Sequence, residues 1–226
     1  MKAYSINTKA GVSICTPQDI HLMTPYVLLE QEEWFEPEIQ FIQDFLQPGM
    51  KALDIGACFG VYALPMAKAV GPEGQVFAFE PCAQVTEYLK ESARQNRLNN
   101  VKILPQALAN RSGKVRLKIA ETPELNAVSL NGDSGAAEHV EAITLDAWWA
   151  ENGRPQIDVV KLDVNGFEAR VIQGGHAFFT QTSPVVIFSI RHNDQLNHQT
   201  IEALTDQGYE LYQYLTEVKA LAPFDH

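Results

Sequence analysis

The chain has few cysteines, no long apolar run and no apolar leader. Its three cysteines, Cys15, Cys58 and Cys82, form no CxxC pair, so they indicate neither a zinc site nor a disulfide framework and suit a reducing compartment. The apolar runs, such as residues 185–188, are far shorter than the roughly 20 residues of a membrane-spanning helix. The N-terminus also lacks the apolar run of a signal peptide. We therefore expect a cytoplasmic protein without a membrane span.

Positive charge is also scarce. Lys and Arg total 17 against 28 Asp and Glu, which gives a formal net charge of −11. No local cluster of basic residues offsets this average. Because an acidic surface is repelled by a phosphate backbone, we expect no nucleic acid partner.

The length of 226 residues suits one domain or two small ones. After an irregular stretch over residues 1–35, strand and helix patterns alternate, which predicts an open α/β sheet covered by helices on both faces. We expect an N-terminal extension over residues 1–35 and one domain over residues 36–226. No repeat interrupts this pattern.

The periodicity of apolar residues gives approximate bounds for each element. In the extension, a strand is expected at 11–16 and a short helix or loop at 26–33. In the domain, strands are predicted at 51–55, 75–80, 101–104, 114–119, 140–144, 157–163 and 185–190. Helices are predicted at 37–46, 61–70, 84–98, 145–151, 168–179 and 200–207. Residues 131–135 form a predicted loop, and strands 209–214 and 219–221 are expected to close the sheet as a hairpin.

The first strand of the domain ends in Asp54-Ile55-Gly56-Ala57-Cys58-Phe59-Gly60. Glycines at a strand–helix turn let the backbone approach a ligand closely. The DxGxxxG spacing lacks the GxGxxG of a turn that binds a pyrophosphate. It is better suited to a ligand part without phosphates, such as the methionine part of S-adenosylmethionine. The alternative interpretation is a plain strand–helix turn.

The second strand ends in Glu80, 26 residues after Asp54. A carboxylate at the tip of this strand can accept hydrogen bonds from both hydroxyls of a ribose. Pro81 then turns the chain under the adenosine. A solvent-facing glutamate at a strand end is the alternative, but it does not explain the register with the glycine turn.

Several motifs resemble the FkbM-type methyltransferases, a branch of the class I S-adenosylmethionine-dependent enzymes. They are Asp54–Gly60, Phe77-Ala78-Phe79-Glu80-Pro81, Ala107-Leu108, Thr144-Leu145-Asp146 and the segment Val160-Lys161-Leu162-Asp163-Val164-Asn165-Gly166-Phe167-Glu168. The resemblance runs from about Trp34 to about Ile190. It implies a Rossmann-like three-layer α/β sandwich with a mostly parallel seven-stranded sheet of order 3-2-1-4-5-7-6, and it implies O-methylation.

The resemblance also implies roles for individual residues. Those assigned to the methionine part of the cofactor are Gly56, Ala57 and Gly60, together with Asp54, and with Phe35 and Glu36 from the segment before the first helix of the domain. Glu80 is assigned to the ribose, and Pro81, Cys82, Gln106 and Ala107 are assigned to the adenine. Asp163 is assigned to the amino group of the cofactor or to the substrate.

Three residues depart from the family pattern. Cys58 and Asn165 stand where the family usually has Asn and Glu, respectively. Ser189 stands near a strand end where relatives often place an acidic residue. Two carboxylates are thus missing near the expected reaction centre, which bears on substrate type and on activity.

Methyl transfer to a hydroxyl benefits from a general base. The candidates beyond strand tips are Asp163, Glu168 and His192. Glu168 opens a helix, where the helix dipole alone favours a glutamate, and a loop histidine such as His192 has a surface position as its alternative. We expect no metal site, because Asp163, Asn165 and Glu168 offer too few oxygen ligands for a hard cation.

The sequence therefore favours an S-adenosylmethionine-dependent methyltransferase that acts on an oxygen of a small molecule or a sugar. A non-catalytic scaffold or binding protein that keeps the fold is the first alternative, motivated by the three departures. A nicotinamide-dependent oxidoreductase is the second, and the missing GxGxxG weakens it. The sequence leaves the oligomeric state open.

Overall fold

The computed structural model describes residues 2–129, 135–192 and 195–224, with the backbone alone at residues 191, 192 and 195. The predicted loop at 131–135 lies outside the described residues except for Gly135. Within the described part, no helix is long and apolar enough to cross a membrane.

Eight helices and fifteen strands are described. The helices are α1 (Met23–Gln31), α2 (Glu38–Phe45), α3 (Ala63–Val70), α4 (Ala83–Gln95), α5 (Leu145–Glu151), α6 (Glu168–Gln173), α7 (His176–Thr182) and α8 (His198–Thr205). The strands are β1 (Ala3–Asn7), β2 (Ser13–Pro17), β3 (Lys51–Ile55), β4 (Gln75–Phe79), β5 (Val101–Leu104), β6 (Ala107–Leu108), β7 (Gly113–Lys118), β8 (Ala127–Ser129), β9 (Ala137–Ile143), β10 (Val159–Leu162), β11 (Val185–Phe188), β12 (Arg191–His192), β13 (Gln195–Leu196), β14 (Tyr212–Leu215) and β15 (Ala220–Pro223).

A five-stranded parallel sheet forms the centre of the molecule, in the order β11-β10-β3-β4-β5. All four residues of β10 are buried, as are four of the five residues of β3 and of β4. Strands covered on both faces are apolar throughout rather than alternating. Numbered along the chain, these strands have the order 3-2-1-4-5, as predicted for that part of the sheet.

The predicted closure of the sheet by a C-terminal hairpin is wrong for the described residues. Strands β14 and β15 pair with each other as a separate two-stranded sheet. This hairpin packs on α2, where the rings of Tyr214 and Phe41 lie 5.3 Å apart and Lys219 Nζ lies 3.1 Å from Asp44 Oδ2. These contacts hold the hairpin on α2, and the central sheet has five strands among the residues that the structure describes.

Four strands form a second sheet in the order β6-β9-β7-β8. The sequence predicted β7 and β9 but missed β6 and β8, which are only two and three residues long. Leu117, Val140 and Ala142 of this sheet are buried in one apolar cluster with Phe59 and Tyr88. The second sheet therefore packs beside the glycine turn that follows β3.

The first 35 residues pack on the sheet domain. Strands β1 and β2 form an antiparallel hairpin, of which the sequence predicted only the second strand. The N–H of Cys15 donates to Ser92 Oγ of α4 (2.7 Å), and the side chain of Asn96 hydrogen bonds the backbone of Ser13. The division at residue 35 stays a prediction.

The helix predicted at 168–179 is broken at Gly174 and Gly175 into α6 and α7. A Cβ on Gly174 would lie 2.1 Å from the carbonyl oxygen of Ala109, so a glycine is required there. The carboxylate of Asp146 then accepts hydrogen bonds from the N–H groups of Ala177 (3.1 Å) and Phe178 (2.7 Å). The chain thus turns where a side chain would clash and where a carboxylate caps the next helix.

We expect Gly174→Ala to destabilise the protein by about 1–3 kcal/mol, because overpacking against a fixed backbone carbonyl forces a backbone shift. Gly153→Ala is the control, since a Cβ there meets no atom within 4 Å and only the left-handed backbone (φ +80°) is strained. Urea unfolding of both variants checks the prediction. Wild-type stability of Gly174→Ala would contradict it.

Candidate functional site

A cleft opens at the carboxyl ends of β3, β4 and β10, where ligands bind in open α/β sheets. Residues from the sheet, the glycine turn, α1 and the second sheet line it. They include Met23, Thr24, Trp34, Phe35, Glu36, Asp54, Gly56, Ala57, Cys58, Tyr62, Glu80, Pro81, Gln106, Ala107, Glu124, Leu125, Lys161, Asp163 and Asn165.

The glycine turn is held tightly between two strands. The N–H groups of Gly56 and Ala57 both donate to the carbonyl of Phe79, at 3.0 and 2.9 Å. Gly56 has φ +89°, and a Cβ there would lie 1.9 Å from the carbonyl oxygen of Asp163. Only glycine meets both requirements, since L residues with a side chain rarely adopt this backbone.

Glu80 is buried at the tip of β4. Its carboxylate accepts hydrogen bonds from the N–H of Cys58 (3.0 Å) and the N–H of Cys82 (2.8 Å), one on each oxygen. Burial raises the pKa of Glu80 to about 7, although these two N–H groups lower it. The carboxylate is therefore fixed in orientation, and each oxygen keeps a second lone pair for a ligand.

Asp54 is buried at the end of β3 and lines the same cleft. Its Oδ2 has no hydrogen-bond partner among the described residues. Burial raises its pKa to about 7, while Lys161 lowers it. A buried carboxylate oxygen without a partner is costly, so Asp54 is suited to a donor or a cation supplied by a ligand.

Sequence reasoning missed a charged cluster around Lys161. The Nζ of this buried lysine lies 3.1 Å from Asp163 Oδ2 and 4.0 Å from Glu36 Oε2. The hydroxyl of Tyr62 donates to the same Glu36 oxygen. A lysine inside an otherwise apolar strand was the only sequence signal. Asp163 is close to Lys161 in the sequence, but Glu36 and Tyr62 come from two distant segments.

Asn165 anchors the other wall of the cleft. It has φ +55°, and its side-chain amide donates to the carbonyls of Glu124 (2.8 Å) and Asn126 (2.9 Å). Glu124 Oε1 in turn accepts from the N–H of Thr24 (2.7 Å). No sequence pattern indicated this link between α1, the loop before β8 and the tip of β10.

Most of the residues predicted to bind the cofactor line the cleft. They are Phe35, Glu36, Asp54, Gly56, Ala57, Glu80, Pro81, Gln106, Ala107 and Asp163. Gly60 and Cys82 are not among the lining residues. A Cβ on Gly60 would lie 2.5 Å from Leu89 Cδ1, so this glycine permits packing against α4, and Cys82 contributes its N–H to Glu80.

The three candidate bases are placed differently. Asp163 lines the cleft, with 38% of its side chain exposed. Glu168 is buried and does not line the cleft. Its Oε1 accepts from the N–H groups of Val164 and Gly166, and its Oε2 accepts from the Asn197 amide. These contacts stabilise the turn after β10. The side chain of His192 lies outside the described part of the chain.

Across the described ranges, no three His, Cys, Asp or Glu side chains are grouped so that they could hold a metal ion.

The sequence profile of the methyltransferase FkbM domain family matches residues 54–211. This range contains the glycine turn, Glu80, and the segment from β10 to α6.

Curated relatives are O-methyltransferases by name. The 2-O-methyltransferase NoeI of Sinorhizobium fredii is 25% identical over 169 residues, which are 63% of this chain and 64% of NoeI. A protein-L-isoaspartate O-methyltransferase of Caenorhabditis elegans is 29% identical over 127 residues, 56% of this chain and 54% of that protein. The chain thus spans less than two thirds of either relative.

A solved structure shares the fold. The methyltransferase FkbM of Methylobacillus flagellatus superposes with a TM-score of 0.52 at 16% sequence identity, over 84% of this chain and 49% of that chain.

We expect the stabilisation of Asp54→Asn over the wild type to grow as the pH rises from 5.5 to about 7 and to stay constant from there to pH 8.5. A carboxyl whose pKa is raised to about 7 on folding lowers the stability of the wild type as the pH rises from the ordinary aspartate pKa of about 4 to about 7, and the loss is complete above that value. Each pKa unit corresponds to about 1.4 kcal/mol. Urea unfolding at several pH values measures this difference.

Asp44→Asn is the control, because Lys219 lowers the pKa of that exposed carboxyl. We therefore expect that Asp44→Asn does not become more stable than the wild type as the pH rises. A difference between Asp54→Asn and the wild type that is the same at pH 5.5 and 8.5 would show that Asp54 is ionised throughout.

Proposed function

Since the chain belongs to the methyltransferase FkbM domain family, we propose that it transfers a methyl group from its cofactor S-adenosylmethionine to an oxygen atom of a small-molecule or sugar acceptor. The observation that carries the proposal is the cleft at the carboxyl ends of β3, β4 and β10, which combines a glycine turn with the two buried carboxylates of Asp54 and Glu80.

Glu80 is the residue we assign to the ribose. Its two oxygens are held by backbone N–H groups on opposite sides, so the side chain does not have to be ordered when a ligand binds. A pre-oriented carboxylate can accept hydrogen bonds from two neighbouring hydroxyls, and such charge-assisted bonds are strong. Pro81, Gln106 and Ala107 line the cleft next to it, and we assign them to the adenine.

Asp54 and Glu36 are the carboxylates we assign to the methionine part, with Gly56 and Ala57 beside them and Phe35 at the exposed rim. The unpartnered Asp54 Oδ2 fits the positive charges of this part of the cofactor, because an opposite charge offsets the cost of burial. When bound, the cofactor supplies an electrophilic methyl group on a positively charged sulfur.

An acceptor oxygen is supported by the relatives. NoeI and the isoaspartate enzyme differ in the rest of their names, but both names specify an O-methyltransferase. The net charge of −11 argues against an RNA or DNA acceptor, since a phosphate backbone would be repelled. A small uncharged polyol or sugar avoids this repulsion.

Asp163 is the residue we assign as the general base. Its Oδ2 is held by Lys161, and Oδ1 is the atom we assign to the acceptor hydroxyl. Asp163 would accept the proton of the acceptor hydroxyl as that oxygen bonds the methyl group that the cofactor would supply, and the electron pair of the former carbon–sulfur bond would stay on the sulfur. Holding the two reactants in line supplies about 7–11 kcal/mol of the barrier. His192 stays a second prediction for the base.

The proposal is tested by incubating the protein with S-adenosylmethionine that carries a 13C-labelled methyl group and with a panel of monosaccharides, polyols, phenols, amines and one isoaspartyl peptide. We expect a labelled methoxy product, identified by the chemical shift of its carbon in NMR, and we expect Asp163→Asn to slow its formation by roughly 10²–10⁴-fold. A labelled N-methyl product, or a labelled isoaspartyl peptide alone, would contradict the acceptor class. Cofactor binding without any product would favour the scaffold alternative.

We expect Glu80→Ala to weaken binding of S-adenosylhomocysteine by about 1.5–3 kcal/mol, or roughly 10- to 150-fold in Kd, the range for hydrogen bonds to a charged group. Isothermal titration calorimetry measures the change. Glu73→Ala, an exposed glutamate in the turn before β4, is the control and leaves the affinity unchanged. If both variants bind like the wild type, Glu80 does not contact the ribose.

A further inference from the structure

Lys161 is a charged residue inside a buried strand. All four residues of β10 are buried, and only 3% of Lys161 is exposed. Removing an ammonium group from water is costly unless its partners compensate. The partners of Lys161 therefore decide what this residue does in the protein.

Those partners come from three separate elements. Asp163 follows β10, and its Oδ2 lies 3.1 Å from Lys161 Nζ. Glu36 belongs to segment 32–37, which joins α1 to α2, and its Oε2 lies 4.0 Å from the same nitrogen. The ring of Tyr62, at the start of α3, lies under the ammonium with its centroid 4.7 Å away. One ammonium thus joins the sheet, the 32–37 segment and α3.

Glu36 holds the cleft-lining end of the 32–37 segment, while Lys9 holds its other end through the carbonyl of Glu32 and the carboxylate of Glu33. This segment has no helix or strand, and its Phe35 is 53% exposed. Trp34, Phe35 and Glu36 all line the cleft. The same Glu36 oxygen that faces Lys161 accepts a hydrogen bond from the Tyr62 hydroxyl. The Glu36 carboxylate and its two neighbours therefore join this wall of the cleft to β10 and to the start of α3.

Lys161 also separates like charges. Asp54, its neighbour across the β3–β10 pair, completes a group of three carboxylates with Glu36 and Asp163. Burial lowers the pKa of Lys161, but the nearby carboxylates of Asp163, Glu36 and Asp54 raise it by more. The pKa of Lys161 is therefore raised overall. The ammonium stays charged, and without it the carboxylates would repel one another.

We propose that Lys161 is a positioning residue for methyl transfer, whose ammonium holds Asp163 and the Glu36-bearing 32–37 segment together on one side of the cleft. This role rests on the proposed function, because Asp163 is the assigned base and Glu36 a cofactor contact. Lys161 acts through these two carboxylates and does not itself touch the reacting atoms.

The test compares Lys161→Met with the wild type by two measurements. Calorimetric titration with S-adenosylhomocysteine reports the affinity, which we expect to fall at least about tenfold, since truncating one partner of a buried charge pair is costly for binding. Iodide quenching of tryptophan fluorescence without ligand reports the 32–37 segment. Trp34 is half-buried while Trp148 and Trp149 are buried, so we expect stronger quenching in the variant.

Lys102→Met is the matched control. Lys102 also lies on the central sheet with its ammonium near an aromatic ring, 5.8 Å from the centroid of Phe77, but outside the cleft. We expect Lys102→Met to have the wild-type affinity for S-adenosylhomocysteine and the wild-type iodide quenching. If Lys161→Met does not fold, Glu36→Gln replaces it in the quenching measurement, because it removes one charge of the pair at a side chain that is 28% exposed.

The outcomes separate this role from the proposed function. Wild-type affinity and wild-type quenching in Lys161→Met, or wild-type quenching in Glu36→Gln if only that variant folds, would overturn the positioning role alone. A wild-type protein that does not bind S-adenosylhomocysteine would overturn the proposed function and the role together. Weaker binding with stronger quenching supports both.

Discussion

The carbonyl group of Phe79 accepts hydrogen bonds from the N–H groups of Gly56 and Ala57, and the geometry of the cleft follows from this contact. It draws the turn after β3 across the end of β4, so that the N–H of Cys58 reaches Glu80. On its other side the turn lies against the carbonyl of Asp163. One backbone acceptor thus fixes the relative positions of Glu80 and Asp163, on which the proposed ribose and acceptor contacts depend.

The same geometry concentrates negative charge where solvent is excluded. Burial raises the pKa of Asp54 and of Glu80 to about 7, and Lys161 is the only cation among the described lining residues. Such an arrangement lowers the stability of the ligand-free protein, because buried carboxylates lose hydration. A ligand with a positive charge restores part of that loss. The electrostatic cost is therefore placed where a sulfonium cofactor would bind, as is common for functional sites.

Local signals in the sequence were sufficient for the central sheet and the glycine turn. Apolar runs bounded by turns identify β3, β4 and β10 because a buried parallel strand is apolar on both faces. Contacts between distant residues left no such signal. Glu36 and Lys161 are 125 positions apart (161 − 36), and the break at Gly174 depends on the carbonyl of Ala109. The C-terminal hairpin was misassigned because its alternation does not reveal whether it pairs with β11 or packs on α2.

The structure explains two of the departures from the family pattern, Cys58 and Asn165, by the hydrogen bonds of the Cys58 main chain and of the Asn165 side-chain amide. At position 58 the group that reaches Glu80 is the main-chain N–H, which any residue but proline supplies. The left-handed backbone there (φ +46°) strains a cysteine by about 1–2 kcal/mol, which is a cost in stability and not in chemistry. At position 165 the amide donates to two carbonyls, and a carboxylate has no hydrogen to donate. Asn165 therefore builds the wall formed by the 123–126 loop, and its lost negative charge is no argument against methyl transfer.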